Sequence, residues 1–428
     1  MLTKLLKSKV YLAAFLIAGL VIGCNEANII SDVSEAEETD LPELQPGDII
    51  EGSYIVVLRS DLDEVESKGK LYVDQIRNAL LTEVDISGDV VVRSYDTALQ
   101  GFSAQLDEAQ LNRLRANERV DYIEPDRVIA LAPPCGTPSG GPCDDDPDEP
   151  EDPEEPENPD PDDPDPENPE EPGDAIVPWG IERVGGAVTY TGSAVAWVLD
   201  SGIQTDHPDL NVDASRGLTV FTRGADARDT DDRNGHGTHV AGTIAGKNGI
   251  LGVASGAIVI PVKVLDRNGG GSISGVIAGV DHVAANASAG DVANMSLGGS
   301  FTSALNTAVE NAASKGIFFT LSSGNNGAPA ENYSPGSVNH PNTWTIGATD
   351  INDNWASFSN YGPPTSFAAP GVAIQSTWIN SGYRTISGTS MSAPHVAGIL
   401  LVNNGNVGSD GQSSPAPDGV RYPIASHK

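Results

Sequence analysis

Three short segments hold side chains suited to nucleophilic chemistry. Val198-Leu199-Asp200-Ser201-Gly202-Ile203 sets a carboxylate directly after an apolar run. Open α/β sheets gather functional groups at such strand ends. Asn234-Gly235-His236-Gly237-Thr238-His239 sets an imidazole between two glycines, which let the backbone bring it to an exposed turn. Ile386-Ser387-Gly388-Thr389-Ser390-Met391-Ser392 sets a hydroxyl where a helix should begin. There the local positive field favours an oxygen that takes on negative charge.

The elements around these segments read as an alternation. Strands are expected at 194–199, 258–264, 292–296, 317–321 and 344–348, with helices over 273–289 and 303–315. Pro261 demands an edge position or a local irregularity in its strand. The fold class is therefore α/β, a mostly parallel sheet with helices on both faces. Upstream, strands at 54–58, 90–92, 101–106 and 120–125 and helices at 65–81 and 108–117 form a small α+β unit. Asp107 is its expected helix cap.

The three chemical segments, in the order Asp, His, Ser, resemble the signatures of the subtilisin-like serine peptidases over residues 178–400. Asn294-Met295-Ser296-Leu297-Gly298-Gly299 and Val264-Leu265-Asp266-Arg267-Asn268-Gly269 are similar to the proteinase-K-like branch. The resemblance implies that Ser390 attacks the peptide carbonyl, His236 moves the proton and Asp200 fixes the His236 tautomer. It also implies that Asn325 donates to the oxyanion, with the Ser390 N–H as second donor; Asn326 is the rival assignment. Substrate would be bound by Ser296, Leu297 and Gly298 on one wall of the specificity pocket. Ser322, Ser323 and Gly324 would form the other wall, and Gly269, Gly270 and Gly271 the edge that pairs with extended peptide. Broad specificity follows, because backbone pairing reads sequence weakly. His239 and His395 read as structural, and the other histidines give no metal constellation. No cofactor is expected for catalysis. Structural calcium is common in the family, with Asp206, Asp209 and Asp213 as candidates by clustering alone.

The same resemblance gives the upstream unit a meaning. Residues 52–130 are similar to the family's inhibitory propeptide, through Tyr54-Ile55-Val56-Val57-Leu58, Gly101-Phe102-Ser103-Ala104 and Val120-Asp121-Tyr122-Ile123-Glu124-Pro125-Asp126. Its body should cover the enzyme while its tail lies in the cleft, making the chain a zymogen cut near residues 129–132. The catalytic domain is expected over 176–428. Only 38 residues follow Ser390, so its end reads as shortened or divergent.

Composition narrows the setting. Residues 1–24 combine Lys4, Lys7 and Lys9 with an apolar run, Val10 to Ile22, too short to span a bilayer. Val21-Ile22-Gly23-Cys24 resembles a bacterial lipoprotein signal, so a lipid on Cys24 is expected to tether the precursor to a membrane. Either way the protein is expected outside the cytoplasm, secreted or in the cell envelope. Residues 25–51 read as a flexible tether. In 131–175, Cys135 and Cys143 are expected to form a disulfide, since export permits one. Residues 144–171 carry 17 carboxylates and no basic residue, an extended acidic linker. The net charge is −36, and even from residue 175 onward 18 acidic residues outnumber 12 basic ones, a balance that argues against nucleic acid as a partner. Protein or peptide substrates and the chain's own propeptide are the expected partners, and the enzyme is expected to act as a monomer. The competing class is an inactive scaffold of the same fold. An α/β-hydrolase esterase is excluded by the Asp, His, Ser order and the absence of Gly-x-Ser-x-Gly around Ser390.

Overall fold

A computed structural model describes residues 45–59, 70–131 and 175–428. The export signal, Cys24, the Cys135–Cys143 pair and the acidic stretch 144–172 lie outside the described residues.

The first unit runs β1 (Ile49–Leu58), α1 (Lys70–Glu83), β2 (Val91–Tyr95), β3 (Gly101–Gln105), α2 (Glu108–Arg115) and β4 (Val120–Ala130). That is the order read from the sequence. Asp107 caps α2 as expected: its carboxylate accepts from the Gln110 N–H, and the Gln110 side chain reaches back to the Asp107 N–H. Central β1 pairs antiparallel with β3 and β4. Its side chains alternate in direction. Val56 and Leu58 pack with Leu80, Leu111 and Leu114 in a core of the unit's own. Ile55 and Val57 point the other way and join the core of the following unit.

The following unit contains α3 (Trp179–Arg183), β5 (Ala196–Asp200), β6 (Asn211–Val212), β7 (Leu218–Thr219), α4 (His236–Ala245), β8 (Ile258–Lys263), β9 (Gly270–Ser272), α5 (Ile273–Asn286), β10 (Val292–Met295), β11 (Gly299–Ser300), α6 (Ser303–Ser314), β12 (Phe318–Ser322), β13 (Tyr333–Ser334), β14 (Thr343–Thr349), β15 (Thr365–Pro370), β16 (Ile374–Trp378), β17 (Gly382–Ile386), α7 (Thr389–Val402), β18 (Gly408–Gln412) and β19 (Pro423–Ser426). The main sheet has the order β18-β19-β15-β14-β12-β10-β5-β8-β6, with β7 also on β8. From β15 to β6 the pairs are parallel. Both faces are covered. Trp197 and Leu199 of β5 pack with α5 and α6, while Ala196 and Val198 pack with α4 and α7. Every residue of β5 is buried, as a two-sided parallel strand requires.

Pro261 finds its irregularity. On the outer side of β8, β6 pairs at Ile258 and Val259 and β7 at Val262 and Thr219's partner Lys263. The carbonyls of Val259 and Lys263 accept from that side, so Pro261, between them in the alternation, turns its donorless nitrogen into the gap between β6 and β7.

The end that reads as shortened or divergent is nonetheless packed structure. Beyond α7 the chain forms the antiparallel pair β18–β19, and β19 extends the sheet at β15. Ile424, Ala425 and Ser426 are fully buried, and the Tyr422 ring packs 4.7 Å from Trp355. Small and scattered apolar residues make an edge hairpin here.

Candidate active site

Asp200 ends β5 and is wholly buried; His236 opens α4. The His236 Nδ1 lies 2.9 and 3.0 Å from the two Asp200 carboxylate oxygens. Ser201 N donates to the same carboxylate at 2.7 Å. The turn before His236 needs glycine: Gly235 has φ +113°, and a Cβ there would sit 2.3 Å from the Trp378 ring.

A carboxylate that sequence reading left unassigned organises this turn. Asp232 Oδ1 accepts from Ser201 Oγ, Asn234 N and Gly235 N at 2.9–3.0 Å. Its Oδ2 accepts from Thr238 N at 3.0 Å and Thr238 Oγ1 at 2.7 Å. Ser201 Oγ in turn accepts from Gly237 N at 3.1 Å. Asp232 thus ties the strand end carrying Asp200 to the helix start carrying His236. From the far side, the fully buried Lys263 ammonium donates to the Ser201 carbonyl and pairs with Asp226 at 3.1 Å.

Ser390 lies in the first turn of α7 and is 5% exposed. Its hydroxyl donates to the Ser296 carbonyl at 3.1 Å rather than to His236. Ser296 Oγ donates to the Ser390 carbonyl at 2.7 Å and is itself held by Asn294 Nδ2 at 2.8 Å. Asn325 Oδ1 accepts from Thr389 N at 2.9 Å and Thr389 Oγ1 at 2.7 Å, which leaves its NH₂ as donor. Asn325 Nδ2 and Ser390 N lie 3.1 and 3.7 Å from where a Cβ on Gly388 would stand, so both donors border the same glycine-made space. Asn326 is held at its backbone by the Asn360 side chain.

A cavity of about 150 Å³ opens beside Ser390, with Leu297, Gly298, Ser322, Ser323 and Gly324 on its walls. Ser296 is fully buried and is not among the lining residues. Tyr333 and Gly336 line the cavity too, and sequence reading did not find them. Gly269, Gly270 and Gly271 serve differently. The tail of β4 pairs antiparallel with β9, Val128 opposite Ser272, Ile129 opposite Gly271 and Ala130 opposite Gly270. Leu131 N donates to the Gly269 carbonyl at 2.9 Å, and Ala130 bridges to Gly298. An extended peptide segment therefore already runs through the cleft.

The rest of the first unit is fastened by carboxylates. Glu124 accepts from Ser303 N and Ala304 N at 3.0 and 3.1 Å at the start of α6. Asp126 accepts from Ser274 N at 3.0 Å at the start of α5. Anions at helix N-termini meet free N–H groups and the positive dipole end. In the reverse direction, Asp281 of α5 accepts from Asp96 N, Thr97 N and Ala98 N. Burial raises the Asp281 pKa even so.

The two other histidines near the site are structural in their contacts. His239 Nε2 faces the Ile374 and Arg384 carbonyls, and burial, then the neighbouring His236, pushes its pKa down to about 3. His395 Nδ1 meets the Met391 carbonyl, and burial takes its pKa to about 4. The three aspartates considered for calcium accept from protein donors in this structure. Asp209 accepts from Gly249 N, Ile250 N and Tyr383 Oη, Asp213 from Ser215 and Arg216, and Asp206 from Gln204. Among the described residues no three His, Cys, Asp or Glu side chains gather as metal ligands.

Residues 191–405 match the model of the subtilase family, and residues 53–132 match that of the I9 peptidase inhibitors. The chain belongs to the subtilase family. It is 36% identical to alkaline serine exoprotease A of Vibrio alginolyticus over 88% of this chain and 66% of that one. It is 34% identical to the extracellular serine proteinase of Thermus sp. (strain Rt41A) over 86% of this chain and 84% of that one. Proteinase R of Parengyodontium album is 34% identical over 85% of this chain and 82% of that one, and the relatives include proteinase-K-like proteins. The chain thus spans about two thirds of the first of these and over four fifths of the others.

Proposed function

We propose that this chain is an exported serine endopeptidase of broad specificity, made as a zymogen whose first folded unit inhibits it. The observation that carries the reading is the buried Asp200–His236 hydrogen bond at the start of α4, the helix packed against the α7 that carries Ser390, together with a cleft at Ser390 whose backbone edges hold an extended segment of the same chain.

In this mechanism Ser390 turns about its Cα–Cβ bond, away from the Ser296 carbonyl, and gives its proton to His236 Nε2 as it attacks the peptide carbonyl. Asp200 keeps the proton on Nδ1 and stabilises the imidazolium that forms. The oxyanion receives Asn325 Nδ2 and the Ser390 N–H. His236 returns the proton to the leaving amine, and water then releases the acyl group by the same route. The β9 edge and Gly298 would pair with substrate as they pair with residues 128–131. Export is supported by residues 1–24 and by the extracellular relative.

The test compares the full chain with Ser390→Ala on casein. Cleavage and self-processing by the unsubstituted chain alone support the peptidase. Equal processing of both would assign maturation to another enzyme. A processed chain that leaves casein intact would refute the reading in favour of a scaffold.

A further inference from the structure

The match to the inhibitor family begins at residue 53, yet residues before it also reach the cleft. Gln45 to Asp48 form a closed turn: Asp48 N donates to the Gln45 carbonyl at 2.9 Å, and Gln45 N to Asp48 Oδ2 at 2.7 Å. This turn grips the tail. Gly47 N donates to the Val128 carbonyl at 2.9 Å, Val128 N to the Asp48 carbonyl at 2.9 Å, and Arg127 Nη1 to the Gly47 carbonyl at 2.8 Å. Pro46 lines the same cavity as Ser390. Gly47 has φ +93°, and a Cβ on it would lie 2.8 Å from Ser300 Oγ, so its place against the enzyme requires glycine.

The alternation of peptide groups along a strand shows what the turn does. Leu131 directs its N–H to β9. Val128 and Ala130, of opposite parity, direct theirs to the other side. There Ala130 meets Gly298, an enzyme residue, and Val128 meets Gly47 and Asp48. Residues 45–48 therefore continue the outer wall of the cleft beyond Gly298 and leave the tail with partners on both edges.

We propose that residues 45–48 are a second inhibitory element, a strap that holds the tail in the cleft, and that opening the strap starts release of the inhibitory unit. Its regulatory meaning rests on the peptidase reading, but its mechanical content does not.

The experiment uses the full chain with and without residues 45–48. With Ser390→Ala in both, amide hydrogen exchange is read at Leu131, whose partner is Gly269 and not the strap. The deletion is expected to speed Leu131 exchange while Val56 in the body of the unit keeps its protection. In the active chain the deletion is expected to shorten the lag before casein cleavage roughly tenfold, as loss of about two backbone hydrogen bonds implies. Unchanged Leu131 exchange with an unchanged lag overturns the proposal. Should the deletion prevent folding, Gly47→Val tests the same point and is expected to move both readings the same way. If the unsubstituted chain never cleaves casein, the peptidase reading fails, while exchange at Leu131 still decides whether the strap holds the tail.

Discussion

Replacing Asp232 by Asn should cost both stability and turnover. The carboxylate receives five donors, three at one oxygen and two at the other. An asparagine keeps one acceptor oxygen and turns an NH₂ toward donors on its other side. Placed in its better orientation it loses the bonds from Thr238 N and Thr238 Oγ1 and weakens the three that remain. Hydrogen bonds to charged groups contribute about 1.5–3 kcal/mol each, so roughly 3–5 kcal/mol should be lost. For a catalytic unit of this size each kcal/mol lowers Tm by about 2–4 °C, giving a fall of roughly 6–20 °C. Thermal unfolding of full chains carrying Ser390→Ala, with and without Asp232→Asn, reads this free of self-digestion. Displacing the turn also moves His236 against Asp200, and a misplacement of about 1 Å lowers kcat by roughly 10²-fold. Casein or peptide hydrolysis reads that loss, which should appear in kcat with KM little changed. A Tm within about 2 °C of the parent together with a kcat within about twofold would refute the argument that Asp232 ties the two halves of the site.

Three further outcomes are expected. Asn325→Ala should lower kcat by roughly 10²–10³-fold with little change in KM, the scale found for a subtilisin donor of this type; a smaller loss in steady-state peptide hydrolysis would move the oxyanion role to Asn326. Stability should fall on acidification, because His239 and His395 are held well below the ordinary histidine pKa of 6.5, at about 3 and 4. The folded chain then binds fewer protons than the unfolded one, each histidine contributing up to about 1.4 kcal/mol per pH unit from about 6.5 down to its folded pKa; a Tm of the Ser390→Ala chain that holds steady from pH 6.5 to 4.5 would contradict this. The raised Asp281 carboxyl works in the opposite sense and gains as pH falls, so the slope should steepen in Asp281→Asn. Finally, Glu124→Gln with Asp126→Asn should speed loss of the inhibitory unit by roughly tenfold, since each anion at a helix start is worth about 0.3–2 kcal/mol; an unchanged lag before casein cleavage would count against the caps.

The strands of the main sheet were legible because buried parallel strands are near-continuous apolar runs, as at 196–199 and, interrupted by Thr320 alone, at 317–321. The helix over 303–315 and the Asp107 cap were equally plain, since periodicity and capping act within a few residues. Asp200 and His236 stood out through a strand end and neighbouring glycines, which are local signals too, and their roles came from the resemblance to the subtilisin-like signatures. Asp232 was not, although a carboxylate four residues before a glycine-flanked histidine was the available signal. Nothing in its immediate sequence tells that Ser201, thirty-one residues earlier, would be its partner. Glu124, Asp126 and Pro46 were missed for the same reason, because their meaning comes from elements far along the chain. The terminal hairpin was hidden because Ser, Gly and Pro mark turns and edges without saying whether a sheet edge is there to receive them.

The pairing of β4 with β9 bears on solubility as well as on inhibition. A three-residue, side-chain-poor strand with free backbone groups is a template for any passing extended chain. Peptide capture requires such an edge, and a newly made polypeptide is endangered by it. In this chain the edge is born occupied: residues 128–131 satisfy it, and they belong to the same molecule. On the peptidase reading proposed above, the surface that would take hold of other proteins is therefore hidden from them while the chain carries its own residues 128–131 there.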